Sequence, residues 1–182
     1  MNNTALVLID IQNDYFEGGA LTLQGPVQAA ENAKKLLDAF RDAKRPVIHI
    51  QHAAASQDLG FMIPGTRGQE IYAGVAPHSD EPVLTKHYPN SFWETALENT
   101  LRELEVEHVV IAGMMTHMCV STTTRGAMER GFQATVIQDA CATKDLELGE
   151  KTIPADVVHE TALAELTMLA DIKPLEDFLA EM

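Results

Sequence analysis

The sequence predicts an α/β fold, a three-layer α/β/α sandwich whose parallel sheet has about six strands. Three observations support this prediction: short runs rich in valine and isoleucine recur along the chain, helical patterns separate them, and 182 residues suit one domain with an ample core. No internal repeat or linker-like stretch divides the sequence. We therefore expect a single domain over residues 1–182.

Six short apolar runs are the predicted strands. Near-continuous runs of this kind are typical of strands that are buried on both faces of a parallel sheet. In chain order they are ALVLIDI (5–11), PVIHIQ (46–51), PVLT (82–85), HVVIAG (108–113), QATVIQDA (133–140) and ADI (170–172).

The stretches between these runs predict helices and one long loop. Pro46 stops the first helix, Ser91 is of the residue type that caps the start of the second, and Gly131 closes the third. The predicted helices cover residues 27–43, 92 to about 104, 120–130, 155–169 and a last stretch at the C-terminus. The segment 52–85 is dense in glycine and proline, and loops of that length are commonly binding elements or lids.

The charge and composition argue against several classes of function. A formal net charge of −14 argues against binding to nucleic acid or to an anionic membrane, since both need a basic surface. The sequence has no run of about 18 apolar residues, and its start, MNNTALVLID, lacks the features of a secretory signal. We therefore expect a cytoplasmic protein with reduced cysteines. Two cysteines without a CxxC pattern are too few for a thiolate metal site.

Three ionisable residues follow predicted strands. Asp10 lies near the end of the first strand, Lys86 follows PVLT, and Cys119 lies in the turn after HVVIAG. The carboxyl ends of parallel strands meet at one edge of an open α/β sheet, where ligands bind. A helix N-terminus and a lysine are expected to stabilise a thiolate at Cys119, and an aspartate within reach would transfer protons. Together the three groups would form a covalent hydrolase site.

Ordinary structural roles remain open for each of the three residues. A single cysteine near a strand end is usually a small core residue. An aspartate at a strand end is often a turn or cap residue, and a lysine after a strand is usually solvated. The spacing alone does not decide between these roles and catalysis.

Longer motifs give the chain a resemblance to a known family. They are LVLIDIQNDYF (6–16), TKHYPNSFWETALENTLRELEVEHVVIAGMMTHMCVSTTTRGAMERGF (85–132), and the tail VIQDACAT…VHETALAEL. In these motifs and in their order the chain resembles the isochorismatase-like cysteine hydrolases, which include nicotinamidases and N-carbamoylsarcosine amidase. The resemblance runs nearly end to end and implies the same α/β fold.

The resemblance implies a catalytic triad of Asp10, Lys86 and Cys119. It also implies a cis peptide bond between Met114 and Met115, and an oxyanion hole made by the backbone N–H groups of Met115 and Cys119. The implied reaction is acyl transfer through a thioester: Cys119 attacks a carbonyl, Asp10 protonates the leaving amine and then activates water, and Lys86 keeps the thiolate and Asp10 ionised.

Five residues near these positions in the chain are the candidate substrate-binding residues. An apolar and aromatic pocket would suit a small uncharged or aromatic amide. The candidates are Gln12, Phe16, Trp93, Met115 and Met118.

We expect no metal ion and no cofactor. Nicotinamidases of the family bind a metal through an Asp-x-His pair, and Ile50 stands where that aspartate would be if His52 is the histidine. His49 and His52 are then strand and pocket-edge residues. We expect Cys141 to be a buried structural thiol, and His117 to be a packing or interface residue because the family assigns proton transfer to the aspartate.

The leading interpretation is a hydrolase of a small amide or carbamoyl compound. An isochorismatase-type vinyl-ether hydrolase is the enzymatic alternative, and it would tolerate loss of Cys119 but not of Asp10. The same fold would also accommodate a non-catalytic binding protein, or a redox sensor that uses Cys119. The resemblance further implies a homo-oligomer, a dimer or a tetramer, with a small molecule as substrate.

Overall fold

The structure is a computed structural model that describes residues 3–182. Its strands are β1 (Thr4–Ile9), β2 (Val47–His52), β3 (Val83–Lys86), β4 (His108–Met114), β5 (Gln133–Ala142), β6 (Leu146–Leu148), β7 (Lys151–Ile153) and β8 (Asp171–Lys173). Its α-helices are α1 (Pro26–Asp42), α2 (Leu97–Glu103), α3 (Ser121–Glu129), α4 (Ala155–Leu166) and α5 (Leu175–Glu181). Over the described residues, none of these helices has the length and apolar character needed to cross a membrane.

Six of the strands form one sheet in the order β3-β2-β1-β4-β5-β8, and every neighbouring pair is parallel. The predicted α/β sandwich with about six parallel strands is confirmed. Strands β6 and β7 form a separate antiparallel hairpin that the apolar pattern does not predict. Because β2 lies between β1 and β3, a side chain at the end of β3 must cross the end of β2 to reach β1.

The sheet separates two apolar cores, and β1 contributes to both. Leu6 and Leu8 face the core that also contains α1 and α5, whereas Val7 and Ile9 face the core under α2, α3 and α4. All four side chains are closed to solvent. Burying a side chain of this size stabilises the fold by about 1.5–3 kcal/mol. The central strands are therefore a rigid base for whatever lies at their ends.

Helix α2 begins later than the sequence predicts. The expected start at residue 92 with Ser91 as N-cap is wrong, because the Ser91 hydroxyl lies 2.8 Å from the Thr123 hydroxyl and is used there. The hydroxyl of Thr95 instead accepts the backbone N–H of Leu97, at 3.2 Å. The contact of Ser91 with Thr123, which is distant in sequence, therefore replaces the N-cap interaction that the sequence predicts for Ser91.

The long segment 53–82 is held against the turn that follows β1. The carboxylate of Asp14 accepts the backbone N–H of Met62 from the segment and that of Ala20, the latter at 3.0 Å. Gly68 passes so close that a Cβ there would lie 2.1 Å from Oδ1 of Asp14. A buried carboxylate thus fixes the segment next to the carboxyl end of β1.

Candidate active site

The structure brings Asp10, Lys86 and Cys119 together. Asp10 follows β1 directly, Lys86 is the last residue of β3, and Cys119 lies in a π-type turn, Thr116–Val120, that continues into α3. The Nζ atom of Lys86 lies 2.7 Å from Oδ2 of Asp10 and 3.4 Å from Sγ of Cys119. All three side chains are buried.

His52 is a fourth member of this cluster. The sequence predicts only a strand or pocket-edge residue at this position. Its Nδ1 atom lies 3.1 Å from Nζ of Lys86. His52 and Lys86 are register partners at the ends of β2 and β3, so their side chains leave the sheet on the same face. The position of His52 in the strand HIQH, beside a strand that ends in Lys86, is the signal that could have found it.

The ammonium group of Lys86 has three polar neighbours in the cluster. It forms an ion pair with Asp10 and hydrogen bonds with Nδ1 of His52 and Sγ of Cys119. Burial by itself lowers the pKa of Lys86, but the charges and hydrogen bonds of Asp10 and Cys119 outweigh it and raise that pKa above its ordinary value. Lys86 therefore stays positively charged.

Both oxygens of the Asp10 carboxylate are enclosed, and neither accepts a hydrogen bond from any residue in the range 3–182. Oδ2 lies in the ion pair with Lys86, at 2.7 Å from Nζ. An enclosed oxygen without a donor is costly, and such groups are uncommon in folded proteins. It is an acceptor that is available to a proton from a neighbouring group.

The pKa of Cys119 lies above its ordinary value. Burial, and after it the charge of Asp10, raise the pKa of Cys119 to about 12, and the lowering by Lys86 is smaller. Lys86 thus acts on the thiol in the expected direction, but burial opposes it and has the larger effect.

The turn that carries Cys119 has an unusual backbone. The peptide bond between Met114 and Met115 is cis. The N–H groups of Met118 and Val120 both donate to the carbonyl of Met115. The N–H groups of Met115 and Cys119, which the resemblance assigns to an oxyanion hole, belong to this same short stretch.

Gly113 allows the end of β4 to lie close against β1. Its φ is 141°, and a Cβ at this position would lie 2.0 Å from the carbonyl oxygen of Ile9. Glycine is thus required where β4 leads into the turn that contains Cys119.

The five candidate substrate-binding residues lie in different environments. Gln12 is fully buried, and its amide donates to the carbonyls of His52 and Gln69. Both N–H donors of Gln12 are therefore used in holding the backbone, so they are not available to a substrate. Trp93 is 56% exposed and lines a concavity of 420 Å³ whose lining does not include Cys119.

The other three candidates lie nearer to the Cys119 turn or to the docked segment. Phe16 is buried and stacks on Tyr72 with the ring centroids 3.9 Å apart. Met115 is buried and directly precedes the turn, and Met118, within the turn, is 40% exposed.

Tyr15 is a further neighbour of the cluster that the sequence motifs did not single out. It is buried, and burial followed by the negative charges of Cys119 and Asp10 raises its pKa well above its ordinary value. Its hydroxyl is therefore protonated and can act as a hydrogen-bond donor.

Two further histidines, His49 and His117, and the second cysteine have partners outside this cluster. His49 Nε2 lies 3.0 Å from Glu81, and His117 Nδ1 lies 2.6 Å from the Thr143 hydroxyl. Cys141 is buried and donates to the carbonyl of Ile137 at 3.3 Å. Among residues 3–182, no three histidine, cysteine or acidic side chains form a group that could hold a metal ion. The side chains at the end of β2 therefore do not match the Asp-x-His metal site of nicotinamidases, because Ile50 stands in the place of the aspartate.

Comparisons with known proteins agree with the fold and the motifs. The isochorismatase domain family matches residues 4–171. The chain is 45% identical over 177 residues to the "Uncharacterized isochorismatase family protein YddQ" of Bacillus subtilis (strain 168), which covers 97% of this chain and 98% of the relative. It is 31% identical over 152 residues to maleamate amidohydrolase of Pseudomonas putida KT2440, and the match covers 74% of this chain and 70% of that protein.

A solved structure of an isochorismatase from Pseudomonas putida KT2440 has the same fold. Its TM-score with this chain is 0.90 at 34% sequence identity, over 96% of this chain and 89% of that one. The match of the domain family extends over nearly the whole chain. The chain therefore belongs to the isochorismatase family, whose members are hydrolases.

Proposed function

We propose that the protein is a cysteine-dependent hydrolase of a small amide or carbamoyl compound. One observation carries the proposal: Lys86 contacts both Asp10 and Cys119, and Asp10 keeps an enclosed oxygen without a donor. A nucleophile, a proton acceptor and a fixed cation are thus in mutual reach. The similarity to maleamate amidohydrolase, an enzyme that by its name acts on an amide, supports this class of reaction.

The first half of the reaction forms a thioester. Sγ of Cys119 attacks the carbonyl carbon while its proton passes to Asp10, and the N–H groups of Met115 and Cys119 hold the developing oxyanion. The C–N bond then breaks as Asp10 gives its proton to the leaving nitrogen. Because the pKa of Cys119 is about 12, removal of the proton must accompany the attack. General base catalysis of this kind contributes roughly 10²–10⁴-fold to the rate.

The second half of the reaction releases the acid. Asp10 takes a proton from water, the resulting hydroxide attacks the thioester carbon, and the C–S bond breaks. The proton on Asp10 returns to the sulfur of Cys119. Lys86 keeps its charge throughout and offsets the negative charge that moves between the carboxylate and the sulfur.

The test is ammonia release from a panel of small primary amides and carbamoyl compounds. We expect release by the wild-type protein, loss of release in Cys119→Ala, and little change in Cys141→Ala, which removes the other buried thiol. Release should not change when a chelator is added. Asp10→Asn should also abolish release, because it removes the group that protonates the leaving nitrogen.

Two outcomes would contradict the proposal. Undiminished release from Cys119→Ala would mean that the sulfur is not the nucleophile. Absence of release from every amide, together with cleavage of a vinyl ether that depends on Asp10 and not on Cys119, would assign the protein to the ether hydrolases.

A further inference from the structure

Two histidine–threonine pairs hold the turn that carries Cys119. The hydroxyl of Thr116, the first residue of the turn, lies 2.9 Å from Nδ1 of His159. The next residue, His117, places its Nδ1 atom 2.6 Å from the hydroxyl of Thr143. Both threonines are buried. Side chains therefore tie the turn to α4 on one side and to the residue after β5 on the other.

The backbone bonds of the turn do not fix its first residue. Met115 precedes the turn, and no side chain among residues 3–182 caps the turn there. The N–H groups of Met118 and Val120 both donate to the carbonyl of Met115, at 3.1 and 3.2 Å. Because both bonds end on one carbonyl, the side-chain contact of Thr116 with His159 supplies the restraint at the start of the turn.

His159 is itself held by two elements. It belongs to α4, whose neighbouring residues Val158 and Leu163 are buried. Burial lowers the pKa of His159 below its ordinary value, and the hydrogen bond of the ring with the backbone of Gln138 in β5 opposes this only in part. The ring is therefore neutral at pH 7, and it connects β5 and α4 to the turn.

The two partners of the turn line the same cavity. His159 and Thr143 both belong to the lining of a cavity of 640 Å³. This cavity lies between the starts of α1 and α4, and its lining includes Gln28 and Ala155 but not Cys119. It is open to solvent, so a small molecule can reach His159 without passing the Cys119 cluster.

We infer that His159 is a positioning residue for Cys119: through the hydroxyl of Thr116, it holds the turn in the orientation that brings the sulfur to Lys86. The inference rests on the proposed function for the reaction that the sulfur performs. Sγ of Cys119 lies 3.4 Å from Nζ of Lys86. A displacement of the turn by about 1 Å would break this contact, and a misplacement of that size can lower a rate by roughly a hundredfold.

Removal of the imidazole ring tests the inference. His159→Ala should lower kcat for amide hydrolysis by roughly tenfold to a hundredfold with little change in KM, because the placement of the nucleophile acts on the chemical step. Imidazole added to His159→Ala can enter through the cavity and should restore most of the rate, whereas it should not accelerate the wild-type protein. His108→Ala is the matched control, because Nε2 of His108 lies 2.8 Å from the Thr135 hydroxyl at the opposite end of β4. It should hydrolyse amides at the wild-type rate with and without imidazole.

A double-mutant cycle shows whether His159 acts through Thr116. Thr116→Val removes the hydroxyl and keeps the size of the side chain, so it should reproduce the loss of His159→Ala. Thr116→Ser keeps the hydroxyl and should retain most of the rate. The double variant His159→Ala/Thr116→Val should lose no more than either single variant, because both changes break the same contact. Losses that multiply in the double variant would overturn the inference.

Amide hydrogen exchange follows the turn without any turnover. Loss of a neutral hydrogen bond should raise the open population of the turn by roughly fivefold. The N–H groups of Met118 and Val120 should therefore exchange faster by that factor in His159→Ala, Thr116→Val and their double variant, and imidazole should slow the exchange again in His159→Ala. Exchange that is unchanged, or that rises equally in His108→Ala, would overturn the inference. If the wild-type protein hydrolyses no amide, the proposed function loses support, while the exchange rates still decide whether His159 holds the turn.

Discussion

The Nζ atom of Lys86 and the Oδ2 atom of Asp10 lie 2.7 Å apart, and both side chains are completely closed to solvent. Removing one partner of such a pair leaves the other charge buried without compensation. We expect Lys86→Met to lower the free energy of unfolding by roughly 3–5 kcal/mol. The measurement is urea denaturation at neutral pH.

The double variant Asp10→Asn/Lys86→Met is the informative companion, because it removes both charges. It should be more stable than Lys86→Met. Arg125→Met serves as a control, since the ion pair of Arg125 with Glu165 is exposed and contributes about 0–1 kcal/mol. Equal stability of Lys86→Met and Arg125→Met would contradict a buried charged pair.

Asp10→Asn should separate the reactivity of the thiol from turnover. The charge of Asp10 raises the pKa of Cys119 and that of Lys86 lowers it. Without the charge of Asp10, burial still raises the pKa of Cys119 and the charge of Lys86 still lowers it. The pKa of Cys119 should therefore fall below about 12. Thiolate absorbance against pH, with Cys119→Ser as the blank, measures this shift. Amide hydrolysis should nevertheless be lost, and an unshifted thiol pKa in Asp10→Asn would argue that the carboxylate does not act on the sulfur.

Glu81 should make the stability depend on acid pH. Burial raises its pKa, but hydrogen bonds from Arg41, the backbone of His78, and His49 together lower it to about 2. A carboxyl group whose pKa is lower in the folded state stabilises the fold above its unfolded value of 4.5, and this stabilisation is lost as pH falls towards 2. Glu81→Gln should therefore be less stable than wild type at pH 7, and the difference should vanish near pH 2.

Urea denaturation at several pH values tests this prediction. Glu165→Gln is the matched control, because the side chain of Glu165 is 61% exposed in its ion pair. It should show only a small difference that hardly changes with pH. A difference for Glu81→Gln that persists unchanged at pH 2 would show that the charge of Glu81 does not contribute.

Gly68→Ala should loosen the long segment 53–82. The added Cβ would lie 2.1 Å from Oδ1 of Asp14, which anchors the segment. We expect faster protease cleavage within the segment and reduced hydrolysis. Gly60→Ala, in the same segment, meets no atom within 4 Å and has only the cost of its positive φ, about 1–2 kcal/mol. Equal protease resistance of the Gly68→Ala and wild-type proteins would contradict the anchoring by Asp14.

The proximity of Asp10, Lys86 and Cys119 could be predicted because it depends on features that are local in sequence. Each apolar run ends where a strand ends, and the ends of parallel strands share one edge of the sheet. Asp10, Lys86 and Cys119 each follow such a run. Their proximity therefore required only that the runs form one parallel sheet.

Further features depended on contacts between distant parts of the chain. The contact of His52 with Lys86 requires the register of β2 against β3, and the late start of α2 requires that Thr123 take the hydroxyl of Ser91. The raised pKa of Cys119 results first from burial, which the residues around it in sequence do not reveal. Residue type and spacing therefore indicated which side chains meet at this edge of the sheet, but not the effect of burial on their pKa values.

The segment 53–82 contacts the turn after β1 through Asp14, whereas the three central groups are fixed by the ends of β1, β3 and β4. The cluster of sulfur, carboxylate and ammonium and the segment beside β1 are thus encoded in separate stretches of chain. Substitutions in the segment that leave its contacts with Asp14 intact should keep the distances within the cluster unchanged.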